Sequence, residues 1–328
     1  MLRYHQVPSC AVGYAQARFG TLCFNQNSTV FKRPNSPVGP KSPNSPNSPN
    51  SPKDGCSPSI SVFQFPNFPR RTEFSVKSQL FCMLFCIMLG MNNAGMAFTT
   101  ILWDVDGTLL DFEAPEKAAM QSLFLEYGFG ECTDEMVKRY SAINRGYWER
   151  LEKKELSKPQ ILVGRFRDFF QEVGVDSSCA EEFNDKYQER LGDTIVFKDD
   201  SYEVVKSLRG RILQYVVSNA TILAQTKKLR VSGLGELMDG VFLSEQVGFE
   251  KPDVRFFDEV LKHIQETDKS RILLVGDSLT SDILGGTNAG IPTCWYNPKG
   301  LSAKGAVRID YEIRDLHEIY DIVKPSMK

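Results

Sequence analysis

The sequence from about residue 98 onward predicts an α/β fold built on a parallel sheet. Short apolar runs alternate with amphipathic helical patterns, which is typical of strands joined by crossover helices. Each of the main gaps between the runs after Asp193 is long enough for one helix. One gap of about 85 residues, between Leu110 and Thr194, contains helical patterns and is too long for a crossover. The sequence therefore predicts a parallel sheet with an inserted helical unit.

Five short apolar runs are the strand candidates. Each is rich in the aliphatic and aromatic residues that favour strands. The runs are TTILWDV (99–105), ILQYVVS (212–218), GVFL (240–243), RILLVGD (271–277) and PTCWYN (292–297).

The helical segments also show recognisable boundaries. DDSYEVVKSLRG (199–210) opens with Asp and closes with Gly, which are preferred at helix ends. KPDVRFFDEVLKHI (251–264) opens with Pro and Asp and repeats apolar residues at helical spacing. In the inserted unit, 116–128 and 135–154 have helical patterns. Its aromatic residues are expected mainly to pack these helices, with the lining of a substrate pocket as the alternative: Tyr140, Tyr147, Trp148, Phe166, Phe169 and Phe170.

The first 95 residues differ in composition from the rest of the chain. Residues 34–58 are rich in Pro, Ser and Asn, include PNSPNSPNSP, and have almost no large apolar residues to bury, so we expect a disordered extension. The twelve residues 80–91, LFCMLFCIMLGM, fall short of the ~20 that a membrane-spanning helix needs. An organelle-targeting leader, a signal-like or interfacial segment and a true start near Met91 or Met96 stay open. We expect a cytoplasmic protein without membrane attachment.

Charge and composition exclude several functional classes for the second part of the chain. Residues 1–96 carry nine Lys and Arg against two Asp and Glu, so the remainder carries 30 against 39. This acidic balance argues against binding of a nucleic-acid polymer, which needs clustered basic residues. The eight cysteines are scattered, without disulfide or zinc spacing, and three histidines leave little material for His-based catalysis.

Paired carboxylates follow the first predicted strand. Asp104 and Asp106 stand two residues apart, and Gly107 allows the chain to turn sharply there. Ligands of open α/β sheets bind at the carboxyl ends of the strands. Two carboxylates at this edge repel each other unless a cation lies between them or they divide nucleophilic and acid/base work.

Polar side chains follow other predicted strands as well. Ser218 and Asn219 come after the second run, although Ser-Asn is also common in turns and helix caps. Lys251 precedes a predicted helix amino terminus, which is a favourable place for a phosphate, although a lone lysine there is usually solvated. Asp277 and Asp282 follow the fourth run. Such oxygen-rich strand ends are typical of a magnesium site.

The order of these motifs carries more information than any one of them. DxDGT, a strand-ending Ser, Lys-Pro before a helix and GDxxxxD resemble the haloacid dehalogenase (HAD) superfamily of phosphohydrolases over 98–325. The resemblance implies a Rossmann-like parallel sheet core of the HAD type, formed by 96–112 and 194–328, with a helical cap at 113–193. It also implies Mg²⁺ as the cofactor.

The resemblance assigns a role to each motif residue. Asp104 would be the nucleophile that forms an aspartyl-phosphate, and Asp106 the general acid and base. The metal ligands would be Asp104, the backbone carbonyl of Asp106 and Asp277, with Asp282 in support. The substrate phosphate would be bound by Thr108, Ser218, Asn219 and Lys251. Thr108 is also expected to orient Asp106.

A finer resemblance concerns the substrate. SEQVGFEKPD (244–253) and VGDSLTSDILGGTNAGIPTCWYNP (275–298) look like the YjjG/YfnB subgroup of 5′-nucleotidases. This implies hydrolysis of nucleoside monophosphates, most of all pyrimidine ones. We expect a monomer or dimer. A phosphatase for phosphoglycolate or a sugar phosphate and a catalytically silent binding protein are the alternatives. Asp106 favours a phosphatase over a dehalogenase. In TIVFKDDSYEVVKSL (194–208) the chain departs from its relatives, which usually have a Pro-Gly turn there.

Overall fold

The computed structural model describes residues 98–303 and 307–324. The predicted disordered extension, 1–95, and its apolar segment lie outside the described residues. Within the described part of the chain, every helix is too short or too polar to cross a membrane.

A single sheet of six parallel strands forms the centre of the described residues, in the order β3-β2-β1-β4-β5-β6. The strands are β1 (Thr100–Trp103), β2 (Leu213–Ser218), β3 (Gly240–Leu243), β4 (Ile272–Gly276), β5 (Thr293–Tyr296) and β6 (Tyr311–Ile313). The central strand β1 pairs with β2 on one side and β4 on the other. The predicted parallel α/β fold is confirmed.

All five predicted strands are present, and a sixth had not been predicted. Strand β6 has three residues, two of them exposed, and pairs with β5 at the edge of the sheet. The segment RIDYEIRD (308–315) lacks an apolar run. An edge strand this short and charged therefore gives no signal that can be separated from a loop.

Four helices lie between Leu110 and Thr194, in the segment where an inserted unit was predicted. They are α1 (Glu113–Glu126), α2 (Asp134–Glu152), α3 (Lys158–Val173) and α4 (Ala180–Arg190). The remaining helices flank the sheet strands: α5 (Ser201–Leu208), α6 (Ile222–Ser232), α7 (Ser244–Val247), α8 (Val254–His263), α9 (Leu284–Ala289) and α10 (Ile319–Val323). The exact division into 96–112, 113–193 and 194–328 stays a prediction.

Both predicted helices begin directly after the predicted Asp, but its side chain caps only one of them. Asp253 caps α8, because its carboxylate accepts from the Arg255 N–H at 3.0 Å. Asp200 precedes α5 in the left-handed conformation, with φ 53°, and its side chain makes no capping hydrogen bond. In that conformation the carboxylate does not face the free N–H groups of the first turn.

The sheet and the helical insertion have separate hydrophobic clusters. Side chains alternate between the two faces of β1, so that Ile101 and Trp103 pack on one face and Leu102 on the other. The insertion has an aromatic cluster of its own, to which α6 adds Ala224. The predicted packing role does not extend to Tyr147 and Trp148, which are half-buried. It is confirmed for the four fully buried rings, Tyr140, Phe166, Phe169 and Phe170.

A polar network is also buried inside the insertion. The Arg165 guanidinium donates to Asn144 Oδ1 at 2.7 Å and to Asn184 Oδ1 at 3.1 Å. The Asn144 amide donates in turn to Glu116 Oε1 at 3.1 Å. Burial raises the pKa of Glu116, although hydrogen bonds from Ser141 and Asn144 act in the opposite direction.

Candidate active site

The carboxyl ends of three adjacent strands bring the predicted site residues to one edge of the sheet. Asp104 directly follows β1, Ser218 is the last residue of β2, and Asp277 directly follows β4. The Asp104 N–H donates to Val275 O at 2.9 Å, which ties the end of β1 to β4. Asp104 and Asp277 are thereby held side by side.

Asp104 lies at the centre of this cluster and is 7% exposed. Lys251 Nζ donates to its Oδ1 at 2.8 Å, and Thr108 Oγ1 donates to its Oδ2 at 3.0 Å. Thr108 was expected to orient Asp106, and that expectation is wrong, because its hydroxyl points to Asp104. Burial raises the pKa of Asp104 to about 7, against the opposing charge of Lys251.

Lys251 is 1% exposed and joins three parts of the site. Besides Asp104, its ammonium donates to Asp282 Oδ1 at 2.6 Å and to Val217 O at 2.9 Å. Desolvation lowers the pKa of this lysine, but the charges of Asp104 and Asp282 outweigh it and raise the pKa above its usual value. Lys251 is therefore a cation in the site and not the solvated surface lysine that its sequence context also allowed.

Asn219 holds Lys251 through its backbone. The Asn219 side-chain amide donates to Lys251 O at 2.9 Å, and its carbonyl accepts from Lys251 N at 2.8 Å. Both ends of this side chain are thus committed to Lys251. Direct phosphate binding by Asn219 stays a prediction, because its amide nitrogen has a second N–H. Ser218 is buried next to it, and its Oγ accepts from Ala220 N at 3.1 Å.

Three carboxylates form an oxygen-rich group beside Lys251. Asp104, Asp277 and Asp282 each offer an oxygen, and these atoms lie within 4.8 Å of one another. Asp282 Oδ2 accepts from Ser278 N at 3.1 Å, so both of its oxygens have donors. Desolvation and then the charges of Asp104 and Asp282 raise the pKa of Asp277 well above its usual value.

Two glycines make room for these carboxylates. Gly107 has φ +94°, and a Cβ there would lie 2.5 Å from Asp277 Oδ2. A Cβ on Gly276 would lie 2.3 Å from Asp282 Cγ. The turn after β1 is therefore the sharp one that the sequence predicted. It also allows Asp277 to approach the backbone of the DxDGT motif.

Asp106 has a partner that sequence reasoning missed. Lys228, on α6, donates from its buried Nζ to Asp106 Oδ1. The Asp106 side chain itself is 21% exposed at the site. The helical spacing did indicate that Lys228 faces the protein interior. It lies four residues after Ala224 and next to Leu229, both of which are buried on α6.

The insertion contacts the loop that carries Lys251. Lys154 Nζ lies 2.7 Å from Asp253 Oδ2, and the buried Lys158 ammonium contacts the Ser244 hydroxyl. Helices α2 and α3 of the insertion therefore adjoin the same edge of the sheet as the carboxylates.

The sequence profile of the haloacid dehalogenase-like hydrolases matches residues 101–296. The chain belongs to this family. The match spans the strand ends at which Asp104, Ser218, Lys251 and Asp277 meet. The predicted HAD hydrolase is confirmed.

The relatives of this HAD hydrolase include the subgroup that the sequence resembled. The putative HAD-hydrolase YfnB of Bacillus subtilis is 34% identical over 226 residues, which cover 69% of this chain and 95% of YfnB. The pyrimidine 5′-nucleotidase PynA of Streptococcus pneumoniae is 34% identical over 71% of this chain and 98% of its own length. The pyrimidine 5′-nucleotidase YjjG of Escherichia coli is 28% identical over 70% of this chain and 99% of its own length.

A solved structure supports the same relationship. The crystal structure of YfnB from Bacillus subtilis matches this HAD hydrolase with a TM-score of 0.64, covering 69% of this chain and 98% of that one. That structure of YfnB is bound to magnesium and reveals interdomain movement. The fold and the subgroup resemblance therefore agree.

Proposed function

We propose that this HAD hydrolase is a magnesium-dependent phosphomonoesterase that acts on nucleoside monophosphates, with pyrimidine nucleotides preferred. The observation that carries the proposal is the set of contacts around Asp104, which is buried between Lys251 and two further carboxylates. A nucleophile for an anionic substrate needs positive charge beside it, and this arrangement supplies a lysine and a place for a cation.

The donor set fits magnesium. Asp104, Asp277 and Asp282 bring three carboxylates against the single ammonium of Lys251, and hard oxygen donors suit Mg²⁺. Asp104, Asp277 and the backbone carbonyl of Asp106 would hold the ion. Asp282 would act in support, because its oxygens already accept from Lys251 and Ser278. When bound, Mg²⁺ would supply Lewis-acid stabilisation of the phosphoryl oxygens.

The chain's own residues account for the two half-reactions. The Asp104 carboxylate attacks phosphorus and forms an aspartyl-phosphate, while the bond to the leaving oxygen breaks. Asp106 gives a proton to that oxygen. It then takes a proton from the water that attacks the aspartyl-phosphate, which releases inorganic phosphate and restores Asp104.

Charge and hydrogen bonds would fix the phosphoryl group during the attack. Lys251 neutralises part of its charge, and the hydroxyl of Ser218 is a neutral donor at this edge. The single hydroxyl proton of Thr108 is donated to Asp104, so Thr108 would act on the phosphoryl group only through Asp104. Thr108 also holds Asp104 in place through the 3.0 Å bond to its Oδ2. Asn219 positions Lys251, and the second N–H of its amide would be a donor to the phosphoryl group.

The substrate class is carried over from the relatives. PynA and YjjG are named pyrimidine 5′-nucleotidases, and the alignments cover nearly their whole length. Both catalytic carboxylates are present at the end of β1, so the alternative of a silent binding protein has no observation in its favour. The predicted cytoplasmic location and the predicted monomer or dimer stay predictions.

A substrate panel tests the proposal. Release of phosphate would be measured from p-nitrophenyl phosphate, uridine, thymidine and adenosine 5′-monophosphates, phosphoglycolate and glucose 6-phosphate, with Mg²⁺ or with EDTA. We expect hydrolysis with Mg²⁺ alone and the highest kcat/KM for the pyrimidine nucleotides. Absence of metal-dependent hydrolysis would refute the phosphatase. A preference for phosphoglycolate or the sugar phosphate would refute the nucleotidase and keep the phosphatase.

A further inference from the structure

Lys228 occupies an unusual position for a lysine. It lies on α6, which begins directly after the Ser218 to Thr221 turn at the end of β2. Its side chain is 2% exposed, and it shares a helix face with the buried residues Ala224 and Gln225. The neighbouring Lys227 points elsewhere, because its ammonium contacts Glu189 O and Asp193. The two consecutive lysines therefore have different surroundings.

The surroundings of the Lys228 ammonium consist of one carboxylate and one aromatic ring. It donates to Asp106 Oδ1, and it lies 5.0 Å from the centroid of the Phe112 ring. A buried ammonium is costly unless it is paired, so its counter-ion is held firmly. The ring face adds a weaker attraction and covers the ammonium from the side where the insertion begins.

We propose that Lys228 is a positioning residue for proton transfer by Asp106. Its ammonium fixes one oxygen of Asp106, Oδ1, so that proton exchange with the substrate falls to the other oxygen, Oδ2. This inference rests on the proposed phosphatase activity, in which Asp106 is the acid and base. Lys228 itself touches neither the substrate nor the reacting atoms.

The step that Lys228 supports is the departure of the alcohol. Before the attack, Asp106 takes up a proton from solvent on Oδ2, while its Oδ1 still accepts from Lys228. As the bond from Asp104 to phosphorus forms and the bond to the ester oxygen breaks, that oxygen takes this proton and leaves as an alcohol. Asp106 returns to the carboxylate that pairs with Lys228. The alkoxide of a nucleoside is a poor leaving group and needs this proton. The nitrophenolate of p-nitrophenyl phosphate is stable as an anion and leaves without one.

This difference separates a positioning role from a purely structural ion pair. The value of kcat/KM covers binding and the first phosphoryl transfer, and not the later hydrolysis of the aspartyl-phosphate. Misplacement of Asp106 should therefore lower kcat/KM for an alkyl phosphate far more than for an aryl phosphate. Loss of a structural ion pair would lower both equally, in proportion to the loss of folded protein.

The experiment compares uridine 5′-monophosphate with p-nitrophenyl phosphate for the wild type, Lys228→Met and Lys228→Arg. Because general acid catalysis contributes about 10²–10⁴-fold, we expect Lys228→Met to lower kcat/KM for the nucleotide by at least about tenfold more than for the aryl ester. Lys228→Arg, which keeps a cation beside Asp106, should recover part of the loss. The matched control is Lys227→Met, which should leave the ratio between the two substrates unchanged.

Two further variants keep the test decisive. Asp106→Asn should show the same dependence on the leaving group, and adding Lys228→Met to it should change the ratio no further. Should Lys228→Met fail to fold by circular dichroism, Lys228→Ala replaces it, since alanine favours a helix and removes the hydrogen-bond donor at that place. Equal losses for both substrates in a folded variant, or no loss, would overturn the inference.

The failure of this inference is distinct from failure of the proposed function. Hydrolysis of both esters by the wild type with Mg²⁺ establishes the phosphatase before any Lys228 variant is compared. If the panel selects another alkyl phosphate, that ester takes the place of the nucleotide. A wild type without metal-dependent activity would refute the phosphatase and, with it, the role of Lys228.

Discussion

The Asn219 side chain is hydrogen-bonded at both ends to the backbone of Lys251. The bonds measure 2.9 Å to Lys251 O and 2.8 Å from Lys251 N. They join the turn after β2 to the loop before α8, and thereby fix the base of the lysine whose ammonium contacts Asp104. Asn219 thus links two of the predicted motifs.

Replacing Asn219 tests whether this link positions the lysine. We expect Asn219→Ala to lower kcat/KM for p-nitrophenyl phosphate by up to about 100-fold, because a small displacement of a catalytic group is costly. It should also lower the free energy of unfolding by about 1–3 kcal/mol, since two backbone groups lose their partners. Steady-state kinetics and urea unfolding measure the two effects.

Asn288 provides a matched control for that variant. It is exposed, and its amide donates to the neighbouring carbonyl of Pro252 at 3.1 Å. Asn288→Ala should leave kcat/KM within about twofold of the wild type, because an exposed surface bond contributes little. Equal kinetic effects at Asn219 and Asn288 would contradict the positioning role.

Gly107 is required by the approach of Asp277. A Cβ at this residue would lie 2.5 Å from Asp277 Oδ2, and φ +94° disfavours any other residue. We expect Gly107→Ala to abolish Mg²⁺-dependent activity and to destabilise the protein by about 1–3 kcal/mol. Phosphate release and thermal unfolding measure these changes.

The control for Gly107 is Gly146, within α2. A Cβ there would meet nothing within 4 Å. Gly146→Ala should keep full activity and raise stability by up to about 1 kcal/mol, because alanine favours a helix. An active Gly107→Ala protein would show that Asp277 is free to move away.

Asp277 should destabilise the metal-free protein and be needed for stabilisation by Mg²⁺. Without a cation, its charge adds to those of Asp104 and Asp282, so Asp277→Asn should slightly raise the melting temperature of the metal-free protein; the effect is small because the Asp277 side chain is exposed to solvent. The same variant should lose the rise in melting temperature that Mg²⁺ gives the wild type. Thermal unfolding with EDTA and with MgCl₂ measures both effects.

The exposed residue Asp258 on α8 serves as the control for Asp277. Asp258→Asn should change neither the metal-free stability nor the response to Mg²⁺. An Asp277→Asn protein that still gains stability from Mg²⁺ would remove Asp277 from the metal ligands.

Glu116 should make stability fall as the pH rises. Burial raises its pKa in the folded protein above the ordinary 4.5, so the folded state binds more protons than the unfolded state between these two values. The stability of the wild type relative to Glu116→Gln should therefore fall as the pH rises through this window. The destabilisation by the charged Glu116 carboxylate is fully present above it. Urea unfolding between pH 4 and about 8 measures the difference.

Glu126 should show the opposite sign. Hydrogen bonding to Lys186 lowers its pKa, although desolvation opposes this. The contribution of the Glu126 carboxylate to stability is fully present above its ordinary pKa. It is lost as the pH falls through the pKa that Glu126 has in the folded protein. Glu126→Gln therefore loses stability relative to the wild type at neutral pH and matches it in acid. Parallel pH profiles for the two glutamates would contradict the assigned directions.

The strands and the acidic residues were predictable because their signals are local. A buried parallel strand needs a continuous apolar run, and an acid directly after such a run stands at the ligand-binding edge. Asp104, Asp106, Ser218 and Asp277 follow from this reasoning together with the family resemblance. Their meeting follows from the strand order, in which β2, β1 and β4 are neighbours.

The missed features depend on contacts between distant residues. Lys228 and Lys227 point in different directions from α6, and only Lys228 contacts Asp106. Because Asp106 lies 122 residues away in the sequence, no local pattern distinguishes the two lysines. Asp199 and Asp200 both have positive φ, at 43° and 53°, in the segment where the family resemblance predicts a Pro-Gly turn. Asp199 is held there by Tyr296, whose hydroxyl donates to its carboxylate at 2.7 Å. No pattern within 194–208 shows this partner.

The aromatic cluster of the insertion draws almost all of its residues from the four inserted helices. The strands that carry the acids are packed by other side chains. Substitutions in the insertion can therefore accumulate over evolution without disturbing the packing beneath the nucleophile. Proteins with this arrangement can therefore differ in substrate specificity while they keep the same reaction chemistry.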